Sequence, residues 1–184
     1  MNDYDKIDNL ALAVRMDYGF VGKRLDVFEL AGMLGIRIIK YSQLNKSQRN
    51  VIENQCFIKD AMTVFDNHTH LTSCYLFYNE KQNSARIRFS IAHEIKHILC
   101  LERNPTDREE ALADHFARVL LAPSCLLIYE GYKNAIDIAS DFDISFESAC
   151  HALDSARRRK SSPKFCFSES EKEFIRLYKD NPKK

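Results

Sequence analysis

Residues 85–101 read ARIRFSIAHEIKHILCL, and the spacing within this stretch decides how the chain folds. Its apolar positions, Ile87, Phe89, Ile91, Ala92, Ile95, Ile98, Leu99 and Leu101, cover most of the circumference of a helix turning about 100° per residue, so a central, buried helix is expected. Downstream, Thr106 followed three residues later by Glu109 has the pattern of a capping box, and a second helix is expected from there through Leu121, stopping before Pro123. Upstream the period changes. Strand-like pieces near Cys56–Ile58, Ala61–Phe65 and Ser73–Tyr78 are separated by polar, turn-rich segments such as 66–70. Before them, Ile36 to Tyr41 alternates as a strand does, after a helix over Leu25–Leu34 with Asp26 at its start and Gly35 where a left-handed cap belongs. The chain opens with Ile7, Leu10, Ala11 and Val14 at helical spacing. The last third reads as helices: one begins at Ser145 and runs through Arg159, Ser161-Ser162-Pro163 breaks the chain, and Phe174, Ile175 and Tyr178 mark the last. Helices, then strands, then helices argue for the α+β class, with a short, mostly antiparallel sheet packed on the buried helix.

Within that helix stands His93-Glu94-Ile95-Lys96-His97. Positions four apart differ by only about 40°, so His93 and His97 share one face. Two imidazoles one turn apart suit a tetrahedral Zn²⁺, and Glu94 is placed to act as base on a water whose pKa zinc brings towards ~7. A catalytic zinc keeps three protein ligands. The next helix supplies Glu109 and Glu110 across the short connection Glu102-Arg103-Asn104-Pro105. His97 precedes Leu101 by four residues and Glu110 follows Thr106 by four, so in an antiparallel hairpin both sit roughly 6 Å from the turn. Glu109 points about 100° away and serves better as the capping partner, which favours Glu110 as third ligand. Asp114, one turn beyond Glu110, is positioned to hold the other nitrogen of a ligating histidine.

His93-Glu94-x-x-His97 followed by Glu110-x-x-Ala113-Asp114-x-Phe116-Ala117-x-x-Leu120-Leu121-x-Pro123 resembles the ImmA/IrrE family of metallopeptidases. The preceding Arg86-x-Arg88-Phe89-Ser90-Ile91-Ala92 and the Gly35-Ile36 pair are similar to that family as well, and the likeness spans about residues 5–155. The resemblance implies a small zincin-like fold, with His93, His97 and Glu110 as zinc ligands and Glu94 as catalytic base. It also implies proteolysis of regulatory proteins, often helix-turn-helix repressors encoded nearby on mobile elements. Lys96 departs from the pattern, since the family has a small residue such as Gly there. Its ammonium must either approach the metal or snorkel away, and a cation at the metal would oppose binding.

Other residues leave alternatives open. His68 and His70 flank Thr69 in a turn and read as exposed or metal-binding; His115 and His151 are single helical residues. Tyr75, Tyr78, Tyr129 and Tyr132 are candidates for stabilising a tetrahedral intermediate. Residues 76–79 are expected as an edge strand able to pair with an extended substrate.

Composition bounds the rest. The 184 residues suit one domain with an appendage, divided here into a metallopeptidase core, 1–123, and a helical extension with a basic segment, 124–184. The net charge of +1 gives no overall field towards nucleic acid or membrane. Arg157-Arg158-Arg159-Lys160 is a solvated helix end or, as the alternative, a contact for an anionic partner. The six cysteines form no CxxC pair, several lie in apolar stretches such as the one ending at Cys100, and the start lacks a secretory pattern. No apolar run approaches the ~20 residues of a membrane span, which points to a reducing cytoplasm. The expected activity is zinc-dependent hydrolysis of a protein substrate, a cytoplasmic regulator. The competing reading is a binding or sensor module on the same fold that sequesters a regulator without cutting it.

Overall fold

The computed structural model of the chain describes residues 2–46, 60–66 and 73–181. The expected strand at Cys56–Ile58 and the histidines 68 and 70 lie outside the described residues. By mutual contacts the chain resolves into two compact units, Asp26–Ala113, and Met1–Leu25 with Asp114–Lys184.

The unit Asp26–Ala113 is the α+β part. Asp26 caps the helix Val27–Met33, the second of the chain and here α2, through its carboxylate, which accepts from the Phe28 and Glu29 amides. Gly35 follows at φ +73°, the left-handed conformation that costs any other L-residue about 1–2 kcal/mol, and releases the chain into β1 (Arg37–Lys40). Beside β1 run β2 (Ala61–Asp66) and β3 (Ser73–Tyr78) in the order β1-β3-β2. β1 pairs with β3 in parallel, Ile38 opposite Leu76, and β2 pairs with β3 antiparallel, Thr63 opposite Leu76. The sheet is therefore mixed rather than mostly antiparallel. It also corrects the place of residues 76–79: β3 is the central strand, not an edge. Leu76, Phe77 and Tyr78 are all buried, and an apolar run without alternation is what a strand covered on both faces requires. On this sheet lies α3 (Ser84–Leu99), packed against β2, β3 and α2, with Ile91, Ala92 and Ile95 fully buried.

The unit of the two terminal segments is helical. It contains α1 (Asp3–Asp17), opened by an Asn2–Asp5 capping box, and the later part of α4 (Asp107–Leu121). There follow α5 (Ser124–Glu130), α6 (Ala135–Phe142), α7 (Phe146–Lys160) and α8 (Glu169–Asp180). Their shared core is built on Leu12, Leu126, Ile138, Phe142, Ala149 and Phe174. Residues Asp107–Glu130 have the length and composition of a membrane span, beyond what the sequence alone led us to expect, but 61% of the most apolar window is buried inside the protein. Pro123 divides it into α4 and α5, and its apolar side chains, Phe116, Leu120 and Leu126 among them, are core residues. Of the basic run ending α7, Arg159 pairs with Glu171 and Arg157 donates to the Lys133 carbonyl, so both are engaged within the helical unit. The first turn of α7 carries Glu147 and its last turn the four cations, an arrangement that complements the helix dipole.

Arg15 is 0% exposed. Its guanidinium donates to the carbonyls of Phe20 at 2.9 Å, Leu120 at 2.5 Å and Gly22, and lies over the Phe174 ring. Three carbonyls thus depend on one side chain. Arg15→Leu is expected to destabilise the protein by on the order of 3 kcal/mol, because each buried acceptor left without a donor costs about 1–3 kcal/mol. The midpoint of urea denaturation measures it, and an unchanged midpoint would refute it.

Candidate metal centre

The site is assembled by α3, the turn after it, and the first part of α4. Asn83 starts α3 by accepting from the Arg86 amide at 2.9 Å. One turn apart on the buried face, His93 and His97 bring their rings to a centroid separation of 4.8 Å. Thr106 and Glu109 start α4 as a reciprocal cap: the Thr106 amide donates to Glu109 Oε2 at 2.7 Å, and the Glu109 amide meets Thr106 Oγ1 at 3.4 Å. The Thr106 amide first, and then the Thr106 hydroxyl, which donates to the same Oε2 at 2.8 Å, hold the Glu109 carboxyl below its ordinary range. With Glu109 occupied by the cap, Glu110 turns to the histidines, as the level of the two helices requires.

His93 Nε2 lies 2.9 Å from Glu110 Oε2 and 3.0 Å from His97 Nε2, and His97 Nε2 is 3.6 Å from Glu110 Oε2. These edges bracket the roughly 3.3 Å between ligands of a tetrahedral ion with bonds of about 2.0–2.1 Å. Two imidazole nitrogens and a carboxylate oxygen are also a donor set of the kind zinc takes. The residues therefore fit such an ion. Among the described residues, His93, His97 and Glu110 are the group of metal-ligating side chains whose donor atoms gather within 4.8 Å.

Sequence reasoning missed Glu102. After Leu99 the helix closes with Leu101 at φ 55°, its amide donating to Ile98 O at 3.1 Å, while the Glu102 amide donates to His97 O at 2.9 Å. This paired closure turns the chain back along the helix it has left. Glu102 Oε2 accordingly accepts from His97 Nδ1–H at 2.7 Å, which leaves Nε2 of His97 as the nitrogen with a lone pair. Nδ1 of His97 is thus held by Glu102, and the Asp114 carboxylate lies 3.6 Å from the Arg118 guanidinium. Lys96 does not snorkel out. Its side chain is 1% exposed, and its ammonium donates to both Glu102 oxygens at 2.6 Å and to the Glu109 carbonyl at 3.2 Å.

Glu94, 7% exposed, lines a cleft of about 410 Å³ together with His97, Glu102 and Glu110. The opposite wall is Met62, Thr63, Val64 and Phe65 of β2, with Arg103 and Pro105 at the turn. Arg103 stacks its guanidinium on the Phe65 ring at 5.5 Å. Tyr41, half-buried, lies within the electrostatic reach of Glu94: burial first, then the charges of Glu94 and Asp60, push its phenol up to about 12. It therefore keeps its proton. The tyrosines singled out from sequence are engaged elsewhere. Tyr78 is core and meets Phe28 edge-on, Tyr75 stacks on Phe77, Tyr129 faces Tyr178, and Tyr132 donates to Asp141. His115 pairs with Asp8 at 2.6 Å, a contact within the helical unit, and His151 is exposed. Cys125 behaves as the expected buried thiol, raised to about 12 by burial, whereas Cys100 is exposed.

Over residues 34–154, about two thirds of its length, the sequence matches the IrrE N-terminal-like domain of peptidase family M78. The chain belongs to this family. No curated protein matches it. Membership in M78 makes the activity that of a metallopeptidase in kind, and together with the His-His-Glu cluster it points to a metal ion. The matched segment contains His93, Glu94, His97 and Glu110 as well as Lys96 and Glu102; α8 lies beyond it.

Proposed function

We propose that this M78 protein is a zinc-dependent endopeptidase that cleaves a cytoplasmic regulatory protein, a transcriptional repressor of the helix-turn-helix kind. In this reading residues 1–123 carry the catalysis and 124–184 form the helical extension. The observation that carries it is the convergence of His93 Nε2, His97 Nε2 and Glu110 Oε2 beside Glu94 in an open cleft. His93, His97 and Glu110 would hold the zinc ion. Bound there, zinc supplies Lewis acidity to the scissile carbonyl and makes hydroxide available near neutral pH.

The remaining work falls to the protein's own groups. Glu94 takes the proton of the attacking water on its carboxylate and delivers it to the nitrogen of the leaving amine. Among the described residues β2 forms an edge of the sheet, and its Met62–Phe65 segment lines the cleft, so an extended substrate finds backbone partners there. The competing view, a module that binds without cutting, draws its support from Lys96 and from the basic C-terminal segment. Lys96 is neutralised by Glu102, which favours catalysis.

The test is incubation of the zinc-loaded protein with purified helix-turn-helix repressors, followed by intact mass of the products. Cleavage at a defined bond, abolished by a chelator and restored by zinc, is expected. Cleavage that survives complete removal of metal would overturn the proposal.

A further inference from the structure

Lys96, His97 and Glu102 form a unit that metal ligation alone does not explain. Their side chains are 1%, 4% and 14% exposed, so a cation, an imidazole and a carboxylate are withdrawn from water together. A buried ammonium is tolerated only with a well-placed counter-charge, and here both carboxylate oxygens of Glu102 supply it. One of them, Oε2, is also the acceptor for His97 Nδ1–H, on the ring edge away from Glu110. The backbone is bent to make this possible. Leu101 is 66% exposed, so its left-handed conformation gains nothing from burial; it serves the turn that returns Glu102 to His97.

We propose that Glu102 is a positioning residue for the metal centre: it fixes the tautomer and orientation of His97, and Lys96 is the buried counter-ion that fixes Glu102. The inference rests on the reading of His97 as a ligand. A carboxylate behind a ligating histidine raises the basicity of the donor nitrogen, and its loss costs about 10–100-fold in metal affinity. The carboxylate comes from outside the helix, delivered by the turn, and Lys96 allows it to remain charged in a buried place.

Removing Glu102 alone would strand the ammonium of Lys96 and risk unfolding, so the comparison is made between proteins that lack it. Zinc affinity is measured by competition with a chromophoric chelator for wild type, Lys96→Met, Lys96→Met/Glu102→Leu and Lys96→Met/Glu102→Gln. Against Lys96→Met, the Leu variant is expected to bind zinc about 10–100-fold more weakly, and the Gln variant to recover most of that loss through its amide oxygen. In the cobalt-substituted proteins the visible bands should shift in the Leu variant and return in the Gln variant, which a merely structural role would not produce. Equal zinc affinity in Lys96→Met and Lys96→Met/Glu102→Leu would overturn the positioning role while leaving the ligand assignment intact. A wild-type protein that takes up no zinc would instead overturn the ligand assignment, and this inference with it.

Discussion

Glu94→Gln is expected to keep its metal and to lose roughly 10²–10⁴-fold in turnover, the range general acid–base catalysis supplies. The side chain lines the cleft beside His97 and Glu110, yet its carboxylate is outside the cluster of converging donor atoms. Gln preserves its shape and its hydrogen-bonding oxygen but cannot accept the proton of the attacking water. Elemental analysis should therefore give the same zinc content in both proteins, while repressor cleavage followed by mass spectrometry separates them. Equal rates would remove Glu94 from the chemistry. A loss of zinc alongside the loss of rate would show that Glu94 acts on the metal and not on the proton.

Glu110→Ala is the second large effect. Chelator-free wild type is expected to carry about one zinc per chain, as a three-ligand catalytic site would. Without Glu110 the two imidazole nitrogens, 3.0 Å apart, remain as the protein's donors. The affinity should then fall by more than the roughly 10–100-fold that follows loss of an outer hydrogen-bond partner. Glu109→Ala is the matched control, because its carboxylate is spent on the Thr106 cap and should affect helix stability rather than metal. Zinc retained at full strength in Glu110→Ala would place the third ligand elsewhere.

Much of the site was readable because it is local. His93 and His97 share a face by helix geometry alone, and Glu110 follows from two short distances to one turn. Glu109 was separated from Glu110 by the capping pattern, which the Thr106 contacts bear out. The fold class followed from the change of period on either side of residue 84. Glu102 was not readable. Its position depends on a left-handed residue at 101, and the chain carries Leu there rather than the Gly or Asn that announces such a turn. For the same reason Lys96 looked like a cation without a partner: its carboxylate arrives through a backbone reversal that spacing cannot reveal. Strand order was equally hidden, since the parallel pairing of Arg37–Lys40 with 75–78 joins segments far apart in sequence. The unbroken apolar run of β3 was nonetheless a signal for a central strand, and it outweighs the turn that follows it. Tyr41 was passed over because it stands at the end of a strand, with nothing in the sequence to bring it near Glu94.

The buried pair of Lys96 and Glu102 constrains the route by which such a sequence arises. Glu102 can come first, because His97 Nδ1–H already gives its carboxylate a partner and 14% of the side chain still meets solvent. Lys96 cannot, because an ammonium sealed into α3 with no carboxylate would put several kcal/mol against folding. Once both are present, the glutamate is locked in: reverting 102 is disfavoured while Lys96 stays, whereas a small residue can return at 96 because Glu102 stands without the lysine. Ancestral reconstruction along this lineage should therefore recover an acidic residue at 102 with a small residue at 96, and never the reverse.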